Sequence, residues 1–311
     1  MVSFLAAAGI LRLVALPGVR ARFMDHPNER SLHARAVPRT GGVGILCAVL
    51  LAAVLQGTFG LVLALAAALG AVSLLDDWKG LPALVRLLAH TLAAGLFAVF
   101  ALPGASPGEV LLVVLGIVWM TNLYNFMDGA DGLAGGMALI GFAAYGVAGH
   151  GSDVGALSWA VALAAAAFLL VNFPPARMFM GDAGSIPLGF LAGALGLVGW
   201  YADRWPLWFP LAVFSPFVLD ASVTLVRRAL RGERLWEAHR SHYYQRLVLM
   251  GWSHRRLALS EYALMMASAG VALLAREAQG WAAAGVLAAL AAVYLVAARA
   301  IDVRWRDAAK A

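Results

Sequence analysis

The sequence predicts an all-α fold, a polytopic helical membrane protein with about eleven transmembrane helices, or about ten if one short pair does not cross. Residues 1–311 form a single membrane-embedded domain in this reading. Three observations predict it. The chain is 62% hydrophobic and 13% charged, with a mean hydropathy of +0.81, whereas a soluble globular domain is nearer half apolar and a quarter charged. Its apolar runs recur at lengths suited to repeated bilayer crossings. Its charged residues gather in the connections after alternate runs, so one end of the predicted bundle is chemically busy and the other nearly bare.

Each apolar run is bounded by charged or Gly/Pro-rich stretches. The first, 4–16, is followed by Arg20 and Arg22 and lacks a small-residue cleavage site, so it reads as a retained helix and not as a removable signal peptide. The second, 42–55, has Thr40 placed to cap it. It holds the single cysteine, Cys47, which excludes an intramolecular disulfide or a thiolate metal cluster and reads as a packing residue. The third, 59–75, closes on Asp76 and Asp77. The fourth, 83–102, is joined to the fifth, 110–124, by the small connection 103–108, and the sixth, 133–148, to the seventh, 154–171, by 149–151. The eighth, 186–200, has Ser185 as N-cap and Pro187 in its first turn. The ninth, 207–225, runs into a dense basic stretch; the tenth and eleventh are 257–275 and 281–298. Several runs fall short of the ~20 residues a crossing needs, so flanking residues must complete them.

Basic residues mark the busy end, among them Arg30, His33, Arg35, Arg39, Lys79, Arg86 and Arg177, the run within 227–256 and the tail 299–310; Arg204 and Arg276 fall opposite. By the positive-inside rule the busy end is cytoplasmic, with the N-terminus outside and the C-terminal tail inside. A net charge of +6 suits anionic lipid headgroups. It does not argue for nucleic acid, because the cations are juxtamembrane and no nucleic-acid-binding module accompanies them.

Four busy segments carry chemistry. In LLDDWKG, the adjacent Asp76 and Asp77 repel at the end of an apolar helix and need a metal, a proton or a base such as Lys79 to coexist. In NLYNFMDGADGLAGG, Asn122, Asn125, Asp128 and Asp131 recur every three residues and line one side of a helix end if helix persists, while the glycines permit close backbone approach to a ligand. An EF-hand is excluded, since its carboxylates alternate at spacing two and its loop closes on a Glu. In NFPPARMFMGDAGSIPLG, Asp182 precedes a helix start of the kind that attracts phosphate. In HRSHYYQR, His239, Arg240, His242 and Arg246 stand within a basic run that suits a polyanion. Carboxylates for Mg²⁺, cations and helix N-termini at one face together suit phosphoryl chemistry on a lipid. A transporter is the rival class. It predicts acids near the bilayer midplane, where only Asp220 and Glu261 fall.

With DHPNERSLHARAVPRTGG added, these segments resemble, in order, the polyprenyl-phosphate N-acetylhexosamine-1-phosphate transferases, a family that includes phospho-N-acetylmuramoyl-pentapeptide transferase. The resemblance implies a multi-pass enzyme of the bacterial inner membrane with a cytoplasmic active site. Its substrates would be a UDP-N-acetylhexosamine donor and undecaprenyl phosphate, and its cofactor Mg²⁺, with Mn²⁺ as an alternative. It implies catalytic roles for Asp76, Asp77 and Asp128, metal ligation by Asp182 with Asn125 or Asp128, and uridine recognition by Asp131, Asn172 and Phe179, the last by stacking on uracil. Arg39 and Lys79 would bind substrate, and His239, Arg240 and His242 would contact the diphosphate or sugar. HRSHYYQR departs from the histidine run of the muramyl branch and looks more like transferases that start O-antigen or other surface glycans. The carrier is expected in a lipid-facing groove near the cytoplasmic site. One-step and covalent two-step transfer both stay open, as does a homodimer.

Overall fold

The computed structural model of the protein describes residues 1–20, 23–27, 32, 35–58, 60–234, 237 and 239–308. Arg30, His33 and Lys310, assigned above to the busy end, lie outside the described residues, as do Arg22 and residue 59.

Every apolar run falls on helix. In chain order the helices are α1 (Val2–Val14), α2 (Pro17–Arg20), α3 (Gly41–Gln56), α4 (Leu61–Lys79), α5 (Ala83–Ala101), α6 (Pro107–Phe126) and α7 (Leu133–Ala148). They continue with α8 (Asp153–Asn172), α9 (Asp182–Tyr201), α10 (Trp208–Val213), α11 (Ser215–Leu230), α12 (Tyr243–Leu249), α13 (His254–Leu274) and α14 (Gly280–Ala308). Between α2 and α3, β1 (Met24–Asp25) pairs antiparallel with β2 (Val37–Pro38). Seven helices (α4, α5, α6, α8, α9, α13 and α14) are long and apolar enough to cross a bilayer, and α1, α3 and α7 are shorter apolar helices.

The ninth run is not one helix. Pro216 stands in the first turn of α11, where its missing N–H cannot continue the ladder of α10, and the chain breaks at Phe214. α9 begins four residues before the sequence expectation. Gly181 is its N-cap, Ser185 lies inside it with its hydroxyl donating to the Gly181 carbonyl at 3.3 Å, and Pro187 is an interior proline, so neither residue holds the capping role expected of it. Thr40 does occupy the N-cap of α3, but its hydroxyl is buried without a partner. The first N–H groups of α3 instead donate to Phe179 and Met180 carbonyls at 2.9 and 2.8 Å, so backbone from the α8–α9 connection replaces the side-chain cap. Cys47 is exposed on α3, opposite the face that buries Ile45, Ala48, Val49 and Ala52, and is not a packing residue.

α9 is buried almost all round, packed against α3, α4 and α6. Small residues allow this, as apolar solvent gives helices little reason to associate unless their backbones approach closely. A Cβ on Gly42 would fall 2.2 Å from the Gly184 backbone, and one on Gly189 would meet the Met120 carbonyl at 2.8 Å. Leu84, Leu88, Leu92 and Phe100 of α5 face outward, as a lipid-facing surface requires. Because helices alternate in direction, the starts of α3, α9 and α13 and the ends of α4, α6, α8 and α11 meet at one end of the bundle.

An apolar groove of about 330 Å³ runs between α6, α9, α10 and α11. It lies remote from the acidic end. Its α9 wall begins at Ala192, ten residues and so about 15 Å along the helix from Asp182. This groove thus lies in the opposite half of these helices and is not the one expected beside the site.

Candidate active site

Helix ends and the loops between them build the polar end. Asp76 and Asp77 close α4, where a carboxylate is costly unless paired. Each has its own arginine. Arg86, on the first turn of α5, places Nη1 3.1 Å from Asp76 Oδ2, and the Leu81 N–H donates to Asp76 Oδ1 at 2.6 Å. Arg39, directly after β2, places Nη1 3.3 Å from Asp77 Oδ1 and donates from Nη2 to the Asp77 carbonyl at 3.3 Å. Lys79, the base the sequence offered for this pair, is exposed and lies over the Trp78 ring at 5.5 Å, so the pair's counter-charges come from other segments.

Asp182, the first residue of α9, joins the two groups. Asn125 Nδ2 donates to Asp182 Oδ1 and to Ser185 Oγ, each at 2.9 Å, and Arg86 Nη1 stands 4.0 Å from Asp182 Oδ2. Helix does not persist through the NLYNFMDGADG segment: α6 ends at Phe126, and Asp128 and Asp131 lie on the turn before α7. Asn122 therefore leaves the group and donates to the Val118 carbonyl at 2.7 Å. The Asp128 carboxyl is pushed well above the usual carboxylate range, first by burial and then by Asp182, against an opposing hydrogen bond from the Gly181 backbone. Gly181 has φ +73°, and a Cβ there would meet the Arg39 carbonyl at 2.8 Å, so glycine is required where this turn packs on the first loop, the connection between α2 and α3 that carries Arg39.

A cavity of about 280 Å³ opens beside Asp128, Asp131 and Asp182, walled by Arg39, Asn172 and Phe179. Asn172 is buried, accepting from the Gly132 N–H at 3.0 Å and donating to the Met178 carbonyl at 2.9 Å, so its amide shapes the wall. Asp131 Oδ2 accepts from the Ala176 N–H at 2.9 Å. Asp77 and Asn125 adjoin it through their contacts with Arg39 and Asp182, and Asp76 through Arg86, which stands 4.0 Å from Asp182.

The HRSHYYQR segment meets the cavity through Gln245, not through its histidines. His242 is buried, its Nδ1 3.2 Å from Asp220 Oδ1. Asp220 also accepts from the Tyr243 and Tyr244 N–H groups at 3.0 and 3.1 Å, so this acid of α11 caps α12. His239 is half-buried against Ser241 and His242, and its pKa falls to about 4 through burial, His242 and Arg228. Arg240 is exposed. His239 therefore carries no positive charge at neutral pH. Sequence reasoning missed Arg86 as a partner of the acids, Asp220 as the anchor of the basic loop, and Asp25, Leu32, Gln245 and His254 as cavity residues. The available signal was an ionisable side chain at the end of an apolar helix, which Arg86 and His254 both carry.

Among the described residues no three His, Cys, Asp or Glu side chains group closely enough to hold a metal alone. The donors fit Mg²⁺ nonetheless. They are hard oxygens, Asp77 Oδ2 is buried without a partner, and Mg²⁺ commonly binds one or two carboxylates together with water and substrate phosphates.

The family model for glycosyl transferase family 4 matches residues 59–200, from the start of the third apolar run through α9. A Bacillus subtilis protein described as a probable undecaprenyl-phosphate N-acetylglucosaminyl 1-phosphate transferase is 30% identical, over 90% of this chain and 85% of its own. A decaprenyl-phosphate N-acetylglucosaminephosphotransferase of Mycolicibacterium smegmatis is 32% identical, over 82% and 75%. A phospho-N-acetylmuramoyl-pentapeptide-transferase of Moorella thermoacetica is 38% identical, over 53% and 52%. Paired acids on α4, the acidic turn after α6 and the start of α9 all fall inside the matched stretch, and the chain belongs to glycosyl transferase family 4, among the polyprenyl-phosphate N-acetylhexosamine-1-phosphate transferases.

Proposed function

We propose that the protein transfers N-acetylhexosamine-1-phosphate from a UDP-sugar to undecaprenyl phosphate, releasing UMP and forming a polyprenyl-diphosphate-linked sugar that starts cell-surface glycan synthesis. The observation that carries this reading is the convergence of Asp76, Asp77, Asp128 and Asp182 from separate segments with Arg39 and Arg86, beside a polar cavity at one end of an apolar bundle. Transport is disfavoured, since the acids gather at that end and Asp220 is engaged as a cap.

In the reaction an oxygen of the lipid phosphate attacks the β-phosphorus of the UDP-sugar. A bond forms between that oxygen and the β-phosphorus, the bond from the β-phosphorus to the bridging oxygen breaks, and UMP leaves with that oxygen. The anomeric C–O bond stays intact. A phosphate monoester is largely dianionic at neutral pH, so the larger obstacle is repulsion between two anions. Arg39 and Arg86 offset it, and Asp77 orients the acceptor or serves as a weak base. Asp182 with Asp128 or Asn125 would hold a divalent ion, which would supply charge neutralisation to the diphosphate. The uridine end is assigned to Asp131, Asn172 and Phe179.

Eleven crossings, about one per apolar run, put the N-terminus outside and the site on the cytoplasmic face, a reading supported by the basic residues at the site's end. The apolar groove between α6, α9, α10 and α11 supports a seat for part of the prenyl tail. Relatives named for N-acetylglucosamine align over 75–90% of both chains, while muramyl relatives align over 52–65%, which favours UDP-N-acetylglucosamine over a muramyl-pentapeptide donor. A panel of UDP-sugars with undecaprenyl phosphate and Mg²⁺, scored by the mass of the lipid product, tests this. A lipid heavier by one N-acetylhexosamine phosphate is expected, and is lost on chelation; no lipid product from any amino-sugar donor contradicts the reading.

A further inference from the structure

One side chain outside the residues implied by the family touches two walls of the cavity at once. His254 opens α13 behind Ser253, whose hydroxyl accepts from the Arg256 N–H at 3.2 Å. Its Nδ1 lies 3.2 Å from the Asp131 backbone nitrogen and 3.3 Å from Asp131 Oδ1, and its Nε2 lies 3.1 Å from the Leu32 carbonyl oxygen. A carbonyl only accepts, so Nε2 carries a proton and donates to Leu32. Nδ1 accepts from the Asp131 N–H in the neutral ring and donates to Asp131 Oδ1 in the protonated one, and either way both ring nitrogens are used. The ring joins chain positions 32, 131 and 254, all of which line the cavity.

The same helix grips the turn a second time. Tyr262, about two turns further along α13, donates to the Gly132 carbonyl at 2.7 Å. Tyr262 holds only the turn, whereas His254 also holds the first loop, which supplies Asp25, Leu32 and Arg39 to the cavity wall. Asp76, Asp77 and Asp182 lie on other helices and are held by other partners.

We propose that His254 is a positioning residue for the donor nucleotide: it fixes the Asp131 turn and ties Leu32 to α13, so that the uridine end of the cavity keeps its shape. The proposal rests on the reading of this cavity as the donor site. Because the ring acts at the nucleotide end, its loss weakens donor binding and leaves the chemical step and the lipid acceptor unchanged.

The test uses the full-length protein in lipid-containing micelles, with UMP as binding probe and UDP-N-acetylglucosamine as donor. His254→Ala is expected to raise the UMP dissociation constant and the donor KM together, by about tenfold or more, since it strands two polar partners. The KM for polyprenyl phosphate and kcat should stay within about twofold. His254→Gln, which keeps a donor near the Nε2 position, should recover part of the UMP affinity, and it carries the same comparison if the alanine variant fails to fold. UMP affinity within about twofold of wild type in the variants, or a parallel rise in both KM values, overturns the proposal. A wild-type protein that neither binds UMP nor transfers the sugar phosphate overturns instead the donor-site reading beneath it.

Discussion

Asp182 is where a single atom change should be felt most, because its carboxylate meets Asn125 and Arg86 at the start of α9 and lines the cavity. Asp182→Asn preserves shape and removes charge. It should lower turnover by about a hundredfold or more while circular dichroism and thermal unfolding stay as in the wild type; near-normal Mg²⁺-dependent transfer would remove Asp182 from the site. His239 makes a different prediction. Its pKa lies near 4 in place of 6.5, so the folded loop refuses a proton that the unfolded chain accepts. As pH falls from 6.5 toward 4 this residue therefore favours unfolding, and above that window it contributes nothing. Imidazole resonances followed by NMR should show His239 still neutral at about pH 5.5, and a midpoint above 6 would contradict the burial argument. The acids were legible at this scale because a carboxylate at the end of an apolar run demands a partner. Which base answers was not legible: Lys79 is adjacent in sequence, yet Arg39 and Arg86 arrive from other segments.

At the scale of elements, hydrophobic runs located the helices and failed at their ends. An apolar run records what lipid or core requires, while an end is set by partners distant in the chain. Thus α3 starts on the Phe179 and Met180 carbonyls, and α9 continues back through Ser185 to Asp182 despite Pro187. α14 likewise runs past 298, where Asp302 pairs with Arg227 and Arg246 at 2.6 and 2.9 Å. The α3–α9 contact should be intolerant of bulk. Gly42→Ala forces a methyl against the Gly184 backbone; a destabilisation of about 1–3 kcal/mol is expected, with reduced turnover because Arg39 precedes α3 and pairs with Asp77. Unchanged thermal unfolding and full activity would count against that packing. For α12, Asp220→Ala strands the Tyr243 and Tyr244 N–H groups, at a cost of about 1–3 kcal/mol. Limited trypsin digestion should then cut after Arg246, which is buried in the wild type, and continued resistance there would mean that α12 does not depend on this cap.

For the whole molecule, composition alone established a helical membrane protein, and alternation of charged and bare connections placed the chemistry at one end. The cavity itself was hidden, since Asp25, Leu32, Gln245 and His254 become neighbours of Asp131 only once α13 and the first loop pack against the turn after α6. What unites these features is the transfer of N-acetylhexosamine-1-phosphate to a polyprenyl phosphate. The most direct measurement follows the β-phosphorus of UDP-N-acetylglucosamine labelled with ³²P, incubated with the purified protein, Mg²⁺ and undecaprenyl phosphate. The expected result is label in the organic phase, unlabelled UMP in the aqueous phase, and neither with Asp182→Asn. Label remaining in UDP, or in unmodified donor, would contradict it.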